Sequence, residues 1–366
     1  MRSRMLFGYP IAATADNWLH ECFCHIMQAI HSTVASRNII TEWSKIIPEP
    51  YRNRLKSRLQ RSGGLGDKLN AYQIALAKLT AEEQNQILQA LNDQNKIALL
   101  LSCQCDCQAI TDLPVAIHKP VKALFKYAFY LLTDPDLEIR DKHYDIIYKS
   151  IPSRVCPFCG CEGFDALGSR REALDHYLLK DSYPFAAANL RNLVPMGYKC
   201  NSQYKHTKNI LYKDNQTRRK SFDPYNYQGV VKISLNNSQP FAGGIGRTGE
   251  RLPKWEIDFS CASEEITTWD DIFHVRERYI RDVLDAEFNS WLDIFGRWCQ
   301  RRIIPNSDQE LVDAIEDYAS DRELEGFGDR GFLKAAVFRM LHIHCQKGNQ
   351  QLIVFLMAIV NPEQPL

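Results

Sequence analysis

The sequence predicts a mainly helical α+β protein with a short cysteine-containing module embedded between two helical regions. Apolar residues recur every three to four positions through most of residues 1–150 and again from about residue 268 onward, which is the period of an amphipathic helix. Between these regions, near residue 150, the helical pattern gives way to Pro, Cys and Gly. Residues 229–235 and 255–259 alternate like strands around a glycine-rich turn, which predicts a small β element.

These changes in pattern predict three domains: a helical N-terminal domain at 1–150, the module at 151–225, and the β element with a helical C-terminal domain at 226–366. In the first domain, Thr80 and Glu83 have the spacing of a capping box, and the helix that they start is expected to reach Ile97. In the last domain, Thr268 is expected to cap a long amphipathic helix.

The composition excludes some classes of protein. The chain has 366 residues with 45 Lys and Arg against 44 Asp and Glu, so its formal net charge is only +1 and any affinity for phosphates must come from local clustering. The longest apolar run, residues 352–360, is far shorter than the ~20 residues of a membrane-spanning helix and predicts a buried C-terminal helix. We therefore expect a cytoplasmic protein with no membrane segment.

The 12 cysteines are spaced unlike those of a secreted disulfide scaffold, which favours reduced thiols. Cys261, Cys299 and Cys345 lie on apolar helical patterns and are expected in the core. His143, just ahead of the module, is expected on a helix surface. Residues 51–61 carry five basic side chains and no acid, which indicates either solvated surface or contacts to a DNA backbone.

The module contains an ordered series of short motifs within about 50 residues. In chain order they are Cys156-Pro-Phe-Cys159-Gly-Cys161, Leu174-Asp175-His176, Asn192-Leu-Val-Pro195 and Cys200-Asn201-Ser-Gln-Tyr-Lys205. In this order the segment resembles the HNH, or ββα-metal, endonuclease family, whose pattern combines a zinc knuckle with Asp-His, Asn-Leu and a second cysteine pair. The resemblance covers roughly residues 154–223, about a fifth of the chain.

The resemblance implies hydrolysis of DNA phosphodiester bonds, and the residue types suit that chemistry. His176 is expected to be the general base that activates water, since an ordinary histidine with a pKa of ~6.5 is mostly neutral at working pH. Asp175, on a strand predicted over 172–178, and Asn201, in a short helix, are expected to hold one Mg²⁺ or Mn²⁺ because hard cations prefer oxygen ligands. As neighbours on a strand, Asp175 and His176 are expected to point to opposite faces.

Three further side chains are expected to support the reaction. Asn192 matches the family's central Asn, which fixes the active-site loop by hydrogen bonds. Lys205 and Lys208 follow Asn201 at i+4 and i+7, so a helix would place all three on one face. There the lysines would hold the scissile strand or reduce the charge that develops in the transition state.

A basic strip continues from this helix. Residues 199–220 contain seven Lys or Arg residues and one acid, and Tyr198, Tyr204 and Tyr212 interleave with them. Such a strip predicts contacts to a phosphate backbone. Besides Lys205, the predicted DNA-binding residues are Lys199, Lys208, Lys213, Arg218, Arg219 and Lys220.

The cysteine pattern is incomplete for a zinc knuckle. Structural zinc prefers four tetrahedral ligands, but Gly197 stands where the partner of Cys200 is expected. Cys156, Cys159 and Cys200 remain, with Cys161 as a candidate fourth ligand. Structural Zn²⁺ and metal-free packed thiols are both compatible with this pattern.

The resemblance further implies an effector of anti-phage defence or restriction, whose helical flanks bind a regulatory partner such as an ATPase. A homodimer would supply the paired active sites that double-strand cuts need. The alternatives are a non-enzymatic, zinc-finger-like nucleic-acid-binding protein and an inactive scaffold subunit of a defence complex. Nucleic-acid binding alone does not require Asp175, His176 and Asn201 in register, which favours a metal-dependent DNA endonuclease.

Overall fold

The computed structural model describes residues 8–165, 174–226, 231–246, 249 and 251–362. The described residues are mainly helical, with two small antiparallel sheets of two strands each, which confirms the predicted fold class at this level. The chain divides into two compact units. The first unit consists of Gly8–Arg154 and Asp165–Tyr227, and the second of Met1–Phe7, Val155–Phe164 and Gln228–Leu366. The division into three domains stays a prediction.

The first unit begins with a set of helices, most of which contribute to one apolar core. They are α1 (Trp18–Ala35), α2 (Trp43–Ile46), α3 (Glu49–Gln60), α4 (Leu65–Leu76), α5 (Ala81–Gln94), α6 (Ile97–Leu101), α7 (Val115–Leu132) and α8 (Ile139–Ser150). Phe23, Leu69 and Phe125 are fully buried in that core. Burial of these large apolar side chains is the main force that holds the helices together.

The predicted capping box starts α5. The Thr80 hydroxyl accepts a hydrogen bond from the backbone N–H of Glu83 at 3.3 Å, and the Glu83 carboxylate accepts one from the backbone N–H of Thr80 at 2.8 Å. The expected length of this helix was wrong, because α5 ends at Gln94 and Ile97 begins α6.

Three of the five basic side chains in residues 51–61 have partners within the protein, and one of them, Arg52, donates to the backbone oxygen of Ile47 at 2.9 Å. Arg58 forms an ion pair with Asp134 at 2.7 Å. Arg54 donates to the backbone oxygen of Leu137 at 3.0 Å, and its guanidinium lies 4.3 Å from the centre of the Trp18 ring. Arg54 and Arg58 therefore fasten α3 to the segment after α7, which favours a structural role over contacts to DNA.

His143 was expected on a helix surface, and that prediction was wrong. It is buried, because it shares one face of α8 with Ile139 and Ile147 at a spacing of four residues. Its Nδ1 lies 2.8 Å from the backbone oxygen of Ala13, and its Nε2 lies 3.0 Å from the Tyr225 hydroxyl. Burial lowers the pKa of His143.

We expect the protein to lose stability as the pH falls from about 6.5 to 4, because α1 buries two histidines. Burial lowers the pKa of His20 and of His31 to about 4. The unfolded chain takes up protons near pH ~6.5, whereas the folded chain does so only near pH 4. The neutral histidines thus stabilise the fold above pH ~6.5, and about 3 kcal/mol of free energy of unfolding per histidine is lost by pH 4.

Urea unfolding between pH 8 and pH 4 checks this expectation. His31→Asn is expected to reduce the loss of stability in acid, although it also removes the 2.7 Å hydrogen bond to Tyr72. His25→Asn is the matched control, because His25 is exposed on the same helix. An unchanged pH dependence in the His31 variant would contradict this account.

The first unit also contains the central part of the predicted module. Strand β1 (Leu174–His176) pairs antiparallel with β2 (Leu193–Pro195), so that His176 is opposite Leu193. A π-helix, Lys199–Lys205, follows β2. The predicted strand over 172–178 is shorter than expected, and its residues 172 and 173 lie outside the described residues.

The second unit contains the other sheet and a further set of helices. Its elements are β3 (Ile233–Ser234), β4 (Asp258–Phe259), α9 (Glu264–Phe273), α10 (Val275–Tyr279), a π-helix (Ile280–Leu284), α11 (Asp285–Gln300), α12 (Asp308–Glu325), α13 (Gly331–Gln346) and α14 (Gln350–Val360). Strands β3 and β4 pair antiparallel, which confirms a small β element. The predicted strand residues 229 and 230 lie outside the described residues.

Two predictions for this unit were wrong. Ser263 caps α9, whereas Thr268 is buried inside that helix, and α9 ends at Phe273, just before His274 with its φ of 50°. Cys261 is exposed because it precedes α9, while Cys299 and Cys345 are buried as expected. In the part of the chain that is described, no helix combines the length and apolar character needed to cross a bilayer.

Candidate active site

A cavity of about 360 Å³ lies at the end of β1. Asp175, His176 and Asn201 line it, together with Arg140 and Lys180. Three residues that the sequence predicted for one reaction therefore meet at one cavity. Asp175 and His176 were expected on opposite faces of a strand. Both line this cavity, and so does Leu174, the other described residue of β1.

The imidazole of His176 is held in one protonation form. Its Nε2 lies 3.0 Å from the backbone oxygen of Ala187, and since a carbonyl only accepts, Nε2 carries the proton and Nδ1 is left as the acceptor. The Phe129 ring packs against it at 4.4 Å between centroids. Burial, with smaller contributions from Lys180 and Lys205, lowers the pKa of His176 to about 3. His176 is thus neutral over the working range of pH, as a general base must be.

Asp175 is neutralised by a buried cation. Its Oδ2 lies 2.8 Å from Nζ of Lys205, which has no exposed surface and also donates to the backbone oxygen of His176 at 2.9 Å. Burial raises the pKa of Asp175, and Lys205 acts in the opposite direction. The ion pair engages Oδ2, and the carboxylate also accepts a hydrogen bond from the backbone N–H of His176.

The expected helix face shared by Asn201, Lys205 and Lys208 was wrong. The π-helix ends at Lys205, and His206 has a φ of +41°, so the chain turns away before it reaches Lys208. Lys205 points inward to Asp175 and cannot hold a scissile strand from its buried position. Its charge nevertheless lies beside the carboxylate that borders the cavity.

Asn192 fastens the loop that follows β1. Its Oδ1 accepts from the backbone N–H of Leu178 at 2.7 Å, and its Nδ2 donates to the backbone oxygens of Leu178 and Ala186 at 3.1 and 3.2 Å. The amide is fully buried. This loop also carries Ala187, the partner of His176, so Asn192 has the contacts expected of a residue that positions the base.

The predicted basic strip is only partly exposed. Lys199 and Lys213 are exposed and Lys208 and Lys220 are half-buried. The two arginines depart from the prediction: Arg219 is buried, and the guanidinium of Arg218 donates to the backbone oxygens of Leu100 at 2.5 Å and Leu211 at 2.9 Å. Arg218 is occupied within the fold and Arg219 is buried, which leaves the lysines as the candidate contacts to nucleic acid.

Three of the cysteines form a cluster that could bind a metal such as zinc. Cys156, Cys159 and Cys200 are buried, and their Sγ atoms lie within 4.8 Å of one another. Cys161 is not part of this cluster, and among the residues described no His, Asp or Glu completes it. The expected three thiolates are therefore together, but the proposed fourth is not.

No family model matches the chain, and neither a curated protein nor a solved structure matches it. The function of the cavity is therefore inferred from the residues that line it.

Sequence reasoning missed two cations of the cavity. Lys180 lies four residues after His176, and this proximity was a usable signal. Arg140 lies on α8, far from every motif, and no local pattern indicates that α8 borders the same cavity.

Proposed function

We propose that the protein is a metal-dependent endonuclease of the HNH type that hydrolyses DNA phosphodiester bonds. The observation that carries the proposal is the convergence of Asp175, His176 and Asn201 on one cavity with the cations Arg140 and Lys180. A neutral imidazole and oxygen ligands beside positive charge suit an anionic phosphodiester that is attacked by water. The order of β1, β2 and the π-helix also agrees with the ββα arrangement.

In this proposal His176 takes the proton of the attacking water on Nδ1, while Ala187 and Phe129 hold its ring in place. A base with a pKa of about 3 is weak, but an anionic phosphate beside the ring favours the imidazolium and raises that pKa. Asn192 keeps the loop that orients His176 fixed during the reaction. The base is therefore positioned before substrate binds and gains strength when it does.

Asp175 and Asn201 are the residues that would hold Mg²⁺ or Mn²⁺, each through a side-chain oxygen. Two protein oxygens suit Mg²⁺, because this ion usually keeps several of its waters. The ion pair with Lys205 involves one oxygen of Asp175, so the ion would bind the other. When bound, the ion would supply stabilisation of the negative charge on the phosphate and the leaving oxygen. Lys205 helps to keep Asp175 ionised, since its charge opposes the effect of burial on that pKa.

One observation favours an alternative function. The cluster of Cys156, Cys159 and Cys200 suits structural Zn²⁺, which a non-catalytic nucleic-acid-binding module would also contain. Binding alone gives no reason for Asp175 and His176 to share a cavity with Asn201, so the endonuclease is the better proposal. A role in anti-phage defence or restriction, with a regulatory ATPase and a homodimer, rests on the family resemblance.

Cleavage of supercoiled plasmid separates these functions. We expect nicking in Mg²⁺ or Mn²⁺ and none in excess EDTA, because the proposed reaction needs the divalent ion. A gel-shift assay on the same samples measures binding independently of cleavage. Protein that retards DNA yet leaves it intact with either metal would support the nucleic-acid-binding alternative and contradict the endonuclease.

A further inference from the structure

We infer that Arg140 and Lys180 form a phosphate-binding subsite of the cavity, so that α8, outside the segment that resembles the HNH family, contributes directly to substrate binding. The inference rests on the proposed function for its substrate class, which is a nucleotide unit of a DNA strand. It goes beyond that function by assigning a binding role to two side chains that no motif includes.

Arg140 contains a buried donor, its Nε, that lacks an acceptor among the described residues. The residue as a whole is half-buried near the start of α8. The central carbon of its guanidinium lies 5.8 Å from the centre of the Tyr144 ring. A buried donor left unsatisfied costs free energy, so a ligand that accepts from it would bind with a gain.

Other arginines of the first unit show what a satisfied guanidinium looks like. Arg58 has Asp134 at 2.7 Å, Arg191 pairs with Asp223, and Arg218 donates to backbone oxygens. Arg140 borders the cavity and has no such partner in the part of the chain that is described. The contrast leaves the guanidinium of Arg140 available to an acceptor in the cavity that it borders.

Lys180 adds a second positive charge on another wall of the cavity. It is exposed on the turn after β1, and its charge is felt by both Asp175 and His176. Arg140 and Lys180 both line this cavity, so a phosphate bound in it would have two cations in its surroundings. A guanidinium binds phosphate oxygens in a planar, bidentate manner, and an ammonium adds a point charge.

The rest of the cavity fits the organic part of a nucleotide. Its volume of about 360 Å³ is at the small end of ligand sites, which span about 300–1,000 Å³. Phe129 and Leu132 form an apolar wall, which suits a sugar or base more than a second phosphate. We therefore expect one nucleotide unit in the cavity and not a bare inorganic anion.

Calorimetric titration of the full-length protein with thymidine 3′,5′-bisphosphate in EDTA tests this subsite. Arg140→Gln and Lys180→Gln are each expected to weaken binding about tenfold, the effect of one lost charge-assisted hydrogen bond. Arg140→Lys is expected to recover part of the loss. Lys142→Gln is the control on the same helix, since Lys142 is exposed and lies 3.5 Å from Glu138.

Wild-type affinity in both Gln variants, or no binding of the bisphosphate to wild type, would overturn the subsite. Inorganic phosphate that binds as tightly as the bisphosphate would overturn the nucleotide assignment. Thermal unfolding shows whether the Arg140→Gln variant is folded. If it is not, the Lys180→Gln variant tests the subsite, because Lys180 is exposed and its replacement leaves the core intact. The titration needs neither metal nor cleavage. Arg140-dependent binding without plasmid nicking would thus refute only the endonuclease, and nicking unaffected by Arg140→Gln would refute only the subsite.

Discussion

Replacing His176 by alanine is expected to lower the rate of Mg²⁺-dependent DNA cleavage by about 10²- to 10⁴-fold, the usual contribution of a general base. The variant removes the only imidazole that borders the cavity among the described residues, while Asp175 and Asn201 stay in place. Nicking rates under single-turnover conditions measure the effect on the reaction, because they separate it from product release.

A matched histidine provides the control for this experiment. His206 lies just beyond the π-helix and is exposed, so His206→Ala is expected to cleave DNA at the wild-type rate. Gel-shift affinity of His176→Ala is expected to stay within about twofold of wild type, since general-base catalysis acts on the transition state. Equal cleavage by wild type and His176→Ala would remove His176 from the mechanism.

Replacing Lys205 by methionine is expected to lower the free energy of unfolding by about 3–5 kcal/mol, the usual cost of leaving one partner of a buried ion pair alone. Lys205 is fully buried, and the side chain of Asp175, at 12% exposure, retains little contact with water. The second change, Asp175→Asn, is expected to restore most of that stability in the double variant because it removes the unpaired charge. Urea unfolding of wild type, both single variants and the double variant gives the coupling energy.

Purely additive effects of the two substitutions would contradict this view of the pair. Lys213→Met is the control, because Lys213 is exposed and lies outside the core, and it is expected to change stability by less than about 0.5 kcal/mol. The double variant also tests the proposed function, since it is expected to lose cleavage while it keeps the fold.

Short sequence patterns correctly predicted the features that depend on contacts between residues close together in the chain. The capping box of Thr80 and Glu83 formed because both partners lie within one turn. Helix capping also starts α9, where Ser263 is the cap and two acidic residues follow it. These acidic residues were the signal that favours Ser263 over Thr268. Asn192 was identified from a motif, and its three backbone contacts fall within the neighbouring loop.

The misplaced residues depend on contacts that are distant in sequence. His143 is buried because Ala13 and Tyr225 come together around it, and neither is near it in the chain. Arg140 reaches the cavity through the packing of α8, which periodicity does not reveal. Lys205 is buried because it pairs with Asp175 on β1, a contact that its spacing from Asn201 does not indicate. Periodicity therefore predicted the fold class, but not which charges are buried.

In the proposed function, Asp175 and Asn201 hold one divalent ion beside His176. Crystals of the full-length protein soaked in Mn²⁺ test it directly through the anomalous signal of the ion. We expect a single peak in the cavity at about 2.1 Å from a carboxylate oxygen of Asp175 and from the amide oxygen of Asn201, a typical metal–oxygen distance for such an ion. A cavity without a peak at saturating Mn²⁺, in which Asp175 contacts only Lys205, would contradict the account.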